Sequence, residues 1–220
     1  GHRTRLGDHS CAEQDGPAER GPRSGDRSDR LASGNRGKLR EFSNLFKDFG
    51  TEVVPQSDLG IESPEETGLS FIENALLKAR HASAVAHLPA MADDSGLVMP
   101  ALDGAPGLYS ARFAGAHATD QDNLNLLLDR LQGCSPEDRQ GHYICALALV
   151  RHATDPDPLV VIGRWNGRIL EVPRGDGGFG YDPAFLPDGL DQTAAELDSE
   201  TKNRLSHRGI AVAELRSQLR

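Results

Sequence analysis

Residues 142–150, HYICALALV, carry apolar side chains on both faces of an extended chain. That pattern predicts a central strand with both faces covered. The residues around it supply helices. Leu39, Phe42, Leu45, Phe46 and Phe49 recur at helical spacing and predict a helix over 38–49, ended by Gly50. Thr51–Val54 reads as a short strand stopped by Pro55. Ser70-x-x-Glu73 is a capping box that opens a second helix through about Ala86, with Phe71, Ala75, Leu76, Ala79 and Ala82 inward. A strand over 89–93 follows, then an extended Leu97–Met99, a turn at 104–107, and a leucine-rich helix, Asp120–Leu131, begun by Thr119. Leu159–Gly163 and Arg168–Val172 flank Asn166-Gly167, a dipeptide that favours a tight hairpin. The last helix spans roughly Lys202–Gln218. Helices and strands alternate early and strands cluster later, so the fold class is α/β with a mixed, twisted sheet.

Residues 1–30 contain one leucine, no isoleucine, valine or aromatic, and six Arg against six Asp or Glu. Such a segment buries too little apolar surface to offset its ordering entropy and reads as a disordered extension. The domain is therefore 31–220, and the net charge of −9 belongs to it. An acidic surface disfavours nucleic-acid polymers, whose phosphates need Lys and Arg. It leaves room for a small phosphorylated ligand escorted by a metal. No stretch approaches the length of a membrane span. Cys11, Cys134 and Cys145 suit neither a disulfide framework nor a zinc site, and a reducing cytoplasm fits best.

Chemistry concentrates in five segments. In MADDSGL, residues 91–97, Leu88, Ala90 and Met91 read as the end of a buried strand, which makes Asp93 and Asp94 emerge together at its carboxyl edge. Adjacent anions repel unless a cation lies between them, and Mg²⁺ is commonly held by one or two carboxylates plus substrate phosphates; a solvated turn is the plainer alternative. Ser33, Gly34, Asn35, Arg36, Gly37 and Lys38 stand at the start of the first helix, where backbone N–H groups, the helix dipole and a lysine form a phosphate cradle. The segment lacks Walker A spacing, and an ordinary capped helix start would look similar. Glu66 could reach a metal held by Asp94, and Lys78, sharing a helix face with Asn74, could meet phosphate charge. Gly175-x-Gly177-x-x-Gly180 runs into Tyr-Asp-Pro rather than a helix, which argues against a dinucleotide fold. It reads as a loop allowing close backbone approach, with Phe179 or Tyr181 offering a ring to a base and Asp182 a polar contact. Ser206, His207 and Arg208 fall within the last helical pattern, Lys202 one turn earlier, and a His-Arg pair can donate to a base oxygen or to phosphate.

Taken in order, SGNRGKLREF, EETGLSFIENALLKA, ADDSGLVMPALDGAPGLYSAR, PRGDGGFGYDPAF, TAAEL and KNRLSHR resemble the inosine/xanthosine triphosphate pyrophosphatase family over about residues 31–220. The resemblance implies an elongated sheet with two lobes, a nucleotide cleft between them, and a homodimer. It implies hydrolysis of dITP, ITP or XTP to monophosphate and pyrophosphate. It makes Asp94 the metal ligand and proton acceptor, with Asp93 and Glu66 supporting the metal. Ser33 to Lys38 and Lys78 would hold phosphates, while Ser95, Phe179, Gly180, Tyr181, Asp182, Lys202, His207 and Arg208 would contact the nucleotide. One departure stands out. The polar run Arg27-Ser-Asp-Arg-Leu31-Ala32 replaces the family's apolar first strand, which predicts a strand that is short or unpaired. A Maf-type pyrophosphatase and a catalytically dead nucleotide-binding module are the competing readings.

Overall fold

The computed structural model describes residues 30–33, 43, 47, 50 and 52–219. Its sheet has six strands: β1 (Arg30–Ser33), β2 (Glu52–Pro55), β3 (Ala90–Val98), β4 (Gln140–Val150), β5 (Leu159–Ile169) and β6 (Phe185–Pro187). Their order is β2-β1-β3-β4-β5-β6, with β1 parallel to β2 and β3 and all later pairs antiparallel. The helices are α1 (Phe71–Ala86), α2 (Asp120–Arg130), α3 (Ser199–Leu205) and α4 (His207–Gln218). The sheet is thus mixed, as the alternation of elements predicts, and β4 is central in it. Among the described residues, no helix is long and apolar enough to cross a membrane.

The core explains why. One face of the sheet is floored with small side chains: Ala90, Ala92, Ala146 and Ala148 meet Ala75, Ala79 and Ala82 of α1. The opposite face packs Met91, Cys145, Leu147 and Val161 against Ala211 and Leu215 of α4. Beyond these, the far ends of β3, β4 and β5 bury Leu97, Met99, Tyr143, Trp165 and Ile169 with the α2 leucines and Phe185. Sheet strands that run through both packed ends hold the two halves of the molecule together.

Two expectations change, the first strand is short as expected, and the helix expected over 38–49 lies mostly outside the described residues. The first strand is short but paired, lying between β2 and β3, and it already includes Arg30; the rest of the extension, 1–29, lies outside the described residues. Of the expected helix 38–49 only Ser43 and Lys47 are described, both helical and exposed. Asn166-Gly167 makes no hairpin turn but lies inside β5, which pairs with β4 from Leu159 to Arg168. Continuous pairing overrides the dipeptide's local preference, and Gly167 serves another need: a Cβ there would sit 2.5 Å from Leu186 O, blocking β6. The last helix is two helices, broken at Ser206 in an extended conformation (ψ 162°). Ser206 caps α4 by accepting from Gly209 N, which a serine at an N-cap does more readily than it continues a helix.

Arg139 ties α2 to the end of β5. Buried, it donates to Leu131 O at 2.8 Å, Ile169 O at 2.7 Å and Leu170 O at 3.1 Å. Arg139→Met would leave three carbonyls without that donor and is expected to cost about 3 kcal/mol. Thermal unfolding checks it: a melting temperature within a degree of the parent would refute the assignment.

Candidate active site

α1 begins where Ser70 Oγ accepts from Glu73 N, while Glu73 accepts from Leu69 N and Ser70 Oγ. This cap sets the phase of the helix so that Asn74 and Lys78, one turn apart, face the sheet with the alanines. On β3, alternation puts Asp94 on the same face as Ala90 and Ala92. The two elements meet there. Lys78 Nζ donates to Asp94 Oδ1 at 2.9 Å and to Glu66 Oε1 at 2.8 Å, and Asn74 Nδ2 donates to Asp94 Oδ2 at 3.3 Å. Arg112 Nη1 stands 3.7 Å from the other Glu66 oxygen. Burial pushes the Asp94 carboxyl above its ordinary value, the Glu66 charge adds to that, and Lys78 and Asn74 oppose it. Burial alone would lower Lys78, but hydrogen bonds and charge from Glu66 and Asp94 prevail and raise it.

Asp93 does not join this group. The pair sits in the middle of β3, not at a carboxyl edge, because β3 stays paired with β4 through Val98. Consecutive strand residues point to opposite faces, and Asp93 accepts from Ser95 Oγ at 3.3 Å on its own side. β1 pairs with β3, among the described residues, as far as Ser33 opposite Met91, two residues before Asp93. Among the described residues no group of three or more His, Cys, Asp or Glu converges as a metal site. Two carboxylates, Glu66 and Asp94, do converge on one cation, the Lys78 ammonium. Two hard oxygen donors suit Mg²⁺ when substrate phosphates complete its shell, so the donor set fits that ion.

One residue beyond Asp94, Ser95 lines a cleft of about 550 Å³ with Tyr143, Phe179, Lys202, His207 and Arg208. The glycine loop forms one wall. Gly178 has φ +74°, and a Cβ there would lie 2.3 Å from Asp182 Oδ2 and 2.9 Å from Lys202 Nζ, so only glycine lets the loop close on that pair. Asp182 is buried and accepts from Phe179 N at 2.8 Å, from Tyr143 OH at 3.3 Å and from Lys202 Nζ. Lys202 Nζ and Arg208 Cζ lie 4.9 and 5.1 Å from the centroid of the Phe179 ring, which is 55% exposed. Tyr181 instead turns into the core, its hydroxyl donating to Ser110 O at 2.8 Å, and Gly180 N donates to Asp120 Oδ2 at 2.8 Å. His207, the first residue of α4, stacks on Tyr143 with centroids 4.9 Å apart and planes 11° off parallel. An exposed aromatic ring beside two cations, above a row of donors, suits a flat heteroaromatic ring with acceptor oxygens.

The sequence model of the Ham1 family matches residues 30–218. The chain belongs to the Ham1 family. Ham1 relatives include a dITP/XTP pyrophosphatase of Shigella flexneri, 55% identical over 190 residues that span 86% of this chain and 96% of that protein. A dITP/XTP pyrophosphatase of Escherichia coli K12 is 54% identical over the same coverage. Among solved structures, a HAM1 protein from Coxiella burnetii aligns with a TM-score of 0.83 at 43% identity, covering 86% of this chain and 98% of that one. This family membership displaces the Maf-type alternative.

Within this Ham1 chain the structure brings together Glu66, Lys78 and Asp94 at one place and Ser95, Phe179, Gly180, Tyr181, Asp182, Lys202, His207 and Arg208 at another, with β3 as their common wall. Gly34 to Lys38 lie outside the described residues, as does the Ser33 side chain. Sequence reasoning missed Tyr143, Ser110, Arg112 and the part played by Asn74. Tyr143 is hidden in an apolar strand run, where nothing distinguishes it from core. Asn74 was visible as a neighbour of Lys78, but its partners are remote in sequence.

Proposed function

We propose that this Ham1 protein hydrolyses non-standard purine nucleoside triphosphates (dITP, ITP and XTP) to the monophosphate and pyrophosphate, clearing them before they enter DNA or RNA. The observation that carries the reading is that Asp94 and Ser95 are consecutive on β3 and face opposite ways, one to the lysine-bridged carboxylates and one into the aromatic cleft. A nucleotide with its base in the cleft would present its inner phosphate near Asp94. The similarity to the dITP/XTP pyrophosphatases named above supports the substrate class.

Glu66 and Asp94 would hold Mg²⁺, which when bound supplies charge neutralisation at the phosphates. Asp93 would support that ion only through its field, from the other face of β3. Asp94 accepts the proton of the attacking water. Lys78, with Ser33 and the residues that follow it in sequence, Gly34, Asn35, Arg36, Gly37 and Lys38, offsets charge building on the phosphate oxygens. Phe179 stacks on the base, while His207 and Arg208 donate to the 6-oxygen of hypoxanthine or xanthine. Adenine carries an amino donor at that position and would leave these donors opposed. A homodimer in the cytoplasm, with neither nucleic-acid polymer nor membrane as partner, completes the reading; the net charge of −9 supports the exclusion of polymers.

A panel of ITP, dITP, XTP, dGTP, dATP and TTP with products identified tests this. We expect pyrophosphate from the first three at a kcat/KM about a hundredfold above that for dATP, and loss of turnover on chelating Mg²⁺. Orthophosphate as the first product, or equal rates across the panel, would overturn it.

A further inference from the structure

Asn74 is 1% exposed, and both ends of its amide are engaged. Its Oδ1 accepts from Gly68 N at 2.8 Å, and its Nδ2 donates to Asp94 Oδ2 at 3.3 Å. A backbone N–H can only donate, so it dictates which end of the side chain is oxygen and turns the NH₂ toward Asp94. Lys78 holds the other oxygen, Oδ1. The carboxylate is therefore gripped at both atoms by residues one helical turn apart. Gly68 matters to this arrangement, since a Cβ there would stand 2.6 Å from Asn74 Oδ1 and 2.7 Å from Glu73 Cβ. Gly68 also ends the segment that carries Glu66, the second carboxylate on Lys78. Beside Asn74, α1 buries Ala75, Ala79 and Ala82, with Ser83 satisfied by Leu88 O at 2.7 Å, so packing alone does not call for a buried amide here. A polar group so placed costs free energy unless both ends are satisfied.

We propose that Asn74 is a positioning residue, which fixes the orientation of the Asp94 carboxylate and ties it to the loop bearing Glu66 through Gly68. The proposal rests on the reading of Asp94 as proton acceptor. It makes the Glu65–Gly68 segment and the reacting oxygen move as one unit, so a disturbance of either is felt at the other.

Three variants of the full chain test it: Asn74→Ala, Gly68→Ala and Asp94→Asn. Steady-state hydrolysis of ITP is measured beside thermal unfolding and the ¹⁵N side-chain amide spectrum. Misplacing a reacting group by a fraction of its bond geometry is costly. Asn74→Ala and Gly68→Ala are each expected to lower kcat by about tenfold or more, with KM within about twofold and the fold retained at the assay temperature. Gly68→Ala alters no charged group, but a Cβ there also meets Glu73 Cβ and lies two residues from Glu66, so its loss is assigned to the Asn74 amide only when the Asn74 NH₂ resonances shift with it. The Asn74 NH₂ resonances are expected to shift in both Gly68→Ala and Asp94→Asn. Should Asn74→Ala fail to fold, Gly68→Ala decides. Unchanged kcat in these variants beside an inactive Asp94→Asn overturns the positioning role alone. Full turnover by Asp94→Asn overturns the reading beneath it.

Discussion

Asp94→Asn is expected to lower kcat for ITP by about a thousandfold, with KM moved by less than about fivefold. The change is isosteric, and the amide can still meet Asn74 or Lys78, so the cleft and the helix keep their places. What disappears is the proton acceptor, which is also one of the two carboxylates on the Lys78 ammonium and one of the two that would hold Mg²⁺. Loss confined to kcat identifies a group used in the transition state rather than in substrate binding. Pyrophosphate release in single turnover is the decisive measurement, because it separates chemistry from product departure. Wild-type turnover by this variant would remove Asp94 from the reaction.

Gly163→Ala is expected to be among the most damaging single methyls that the described residues could receive. Gly163 lies on β5 beneath the start of α4, and a Cβ would fall 1.9 Å from His207 O and 2.7 Å from Ala211 N. Both obstacles are backbone, so no rotamer relieves the clash and the helix itself must lift. Overpacking against rigid neighbours costs about 3 kcal/mol. His207 and Arg208 ride on the displaced turn, so KM for ITP is expected to rise about tenfold, and preference over dATP to fall. Thermal unfolding and a two-substrate assay check both parts. A stable variant with unaltered selectivity would show that the α4 start does not place the base contacts.

Local signals in the sequence identify the fold's elements better than its joints. Ser70 and Thr119 announce the starts of α1 and α2, each hydroxyl accepting from the backbone three residues on, because capping is settled within one turn. The two-sided apolar run of β4 likewise announces a central strand. Asn166-Gly167 misleads for the converse reason: its turn preference is local, while the ladder to β4 that overrides it is not. The break at Ser206 is hidden because no glycine or proline marks it, although a serine three residues before Gly209 is itself a cap signal. The site follows the same division. Residue types in the motifs pointed to Asp94, Glu66 and Lys78, but a lysine 16 positions from an aspartate reveals nothing about contact until helix and strand are packed. Asp93 reads as Asp94's partner only while the strand is taken to end at 93; because β3 runs on to Val98, alternation turns the two side chains to opposite faces.

The alanine floor under α1 acts as a ruler. Ala75, Ala79 and Ala82 have no exposed surface, and the strand alanines they touch have almost none, so the gap between helix and sheet is as narrow as side chains permit. A short amide can bridge that gap only while it stays narrow. Enlarging Ala79 to valine or leucine would raise the whole helix by a fraction of the width of a methyl group, and Asn74 would be the first to lose its grip. Constraint from the chemistry therefore extends to side chains that never meet a nucleotide.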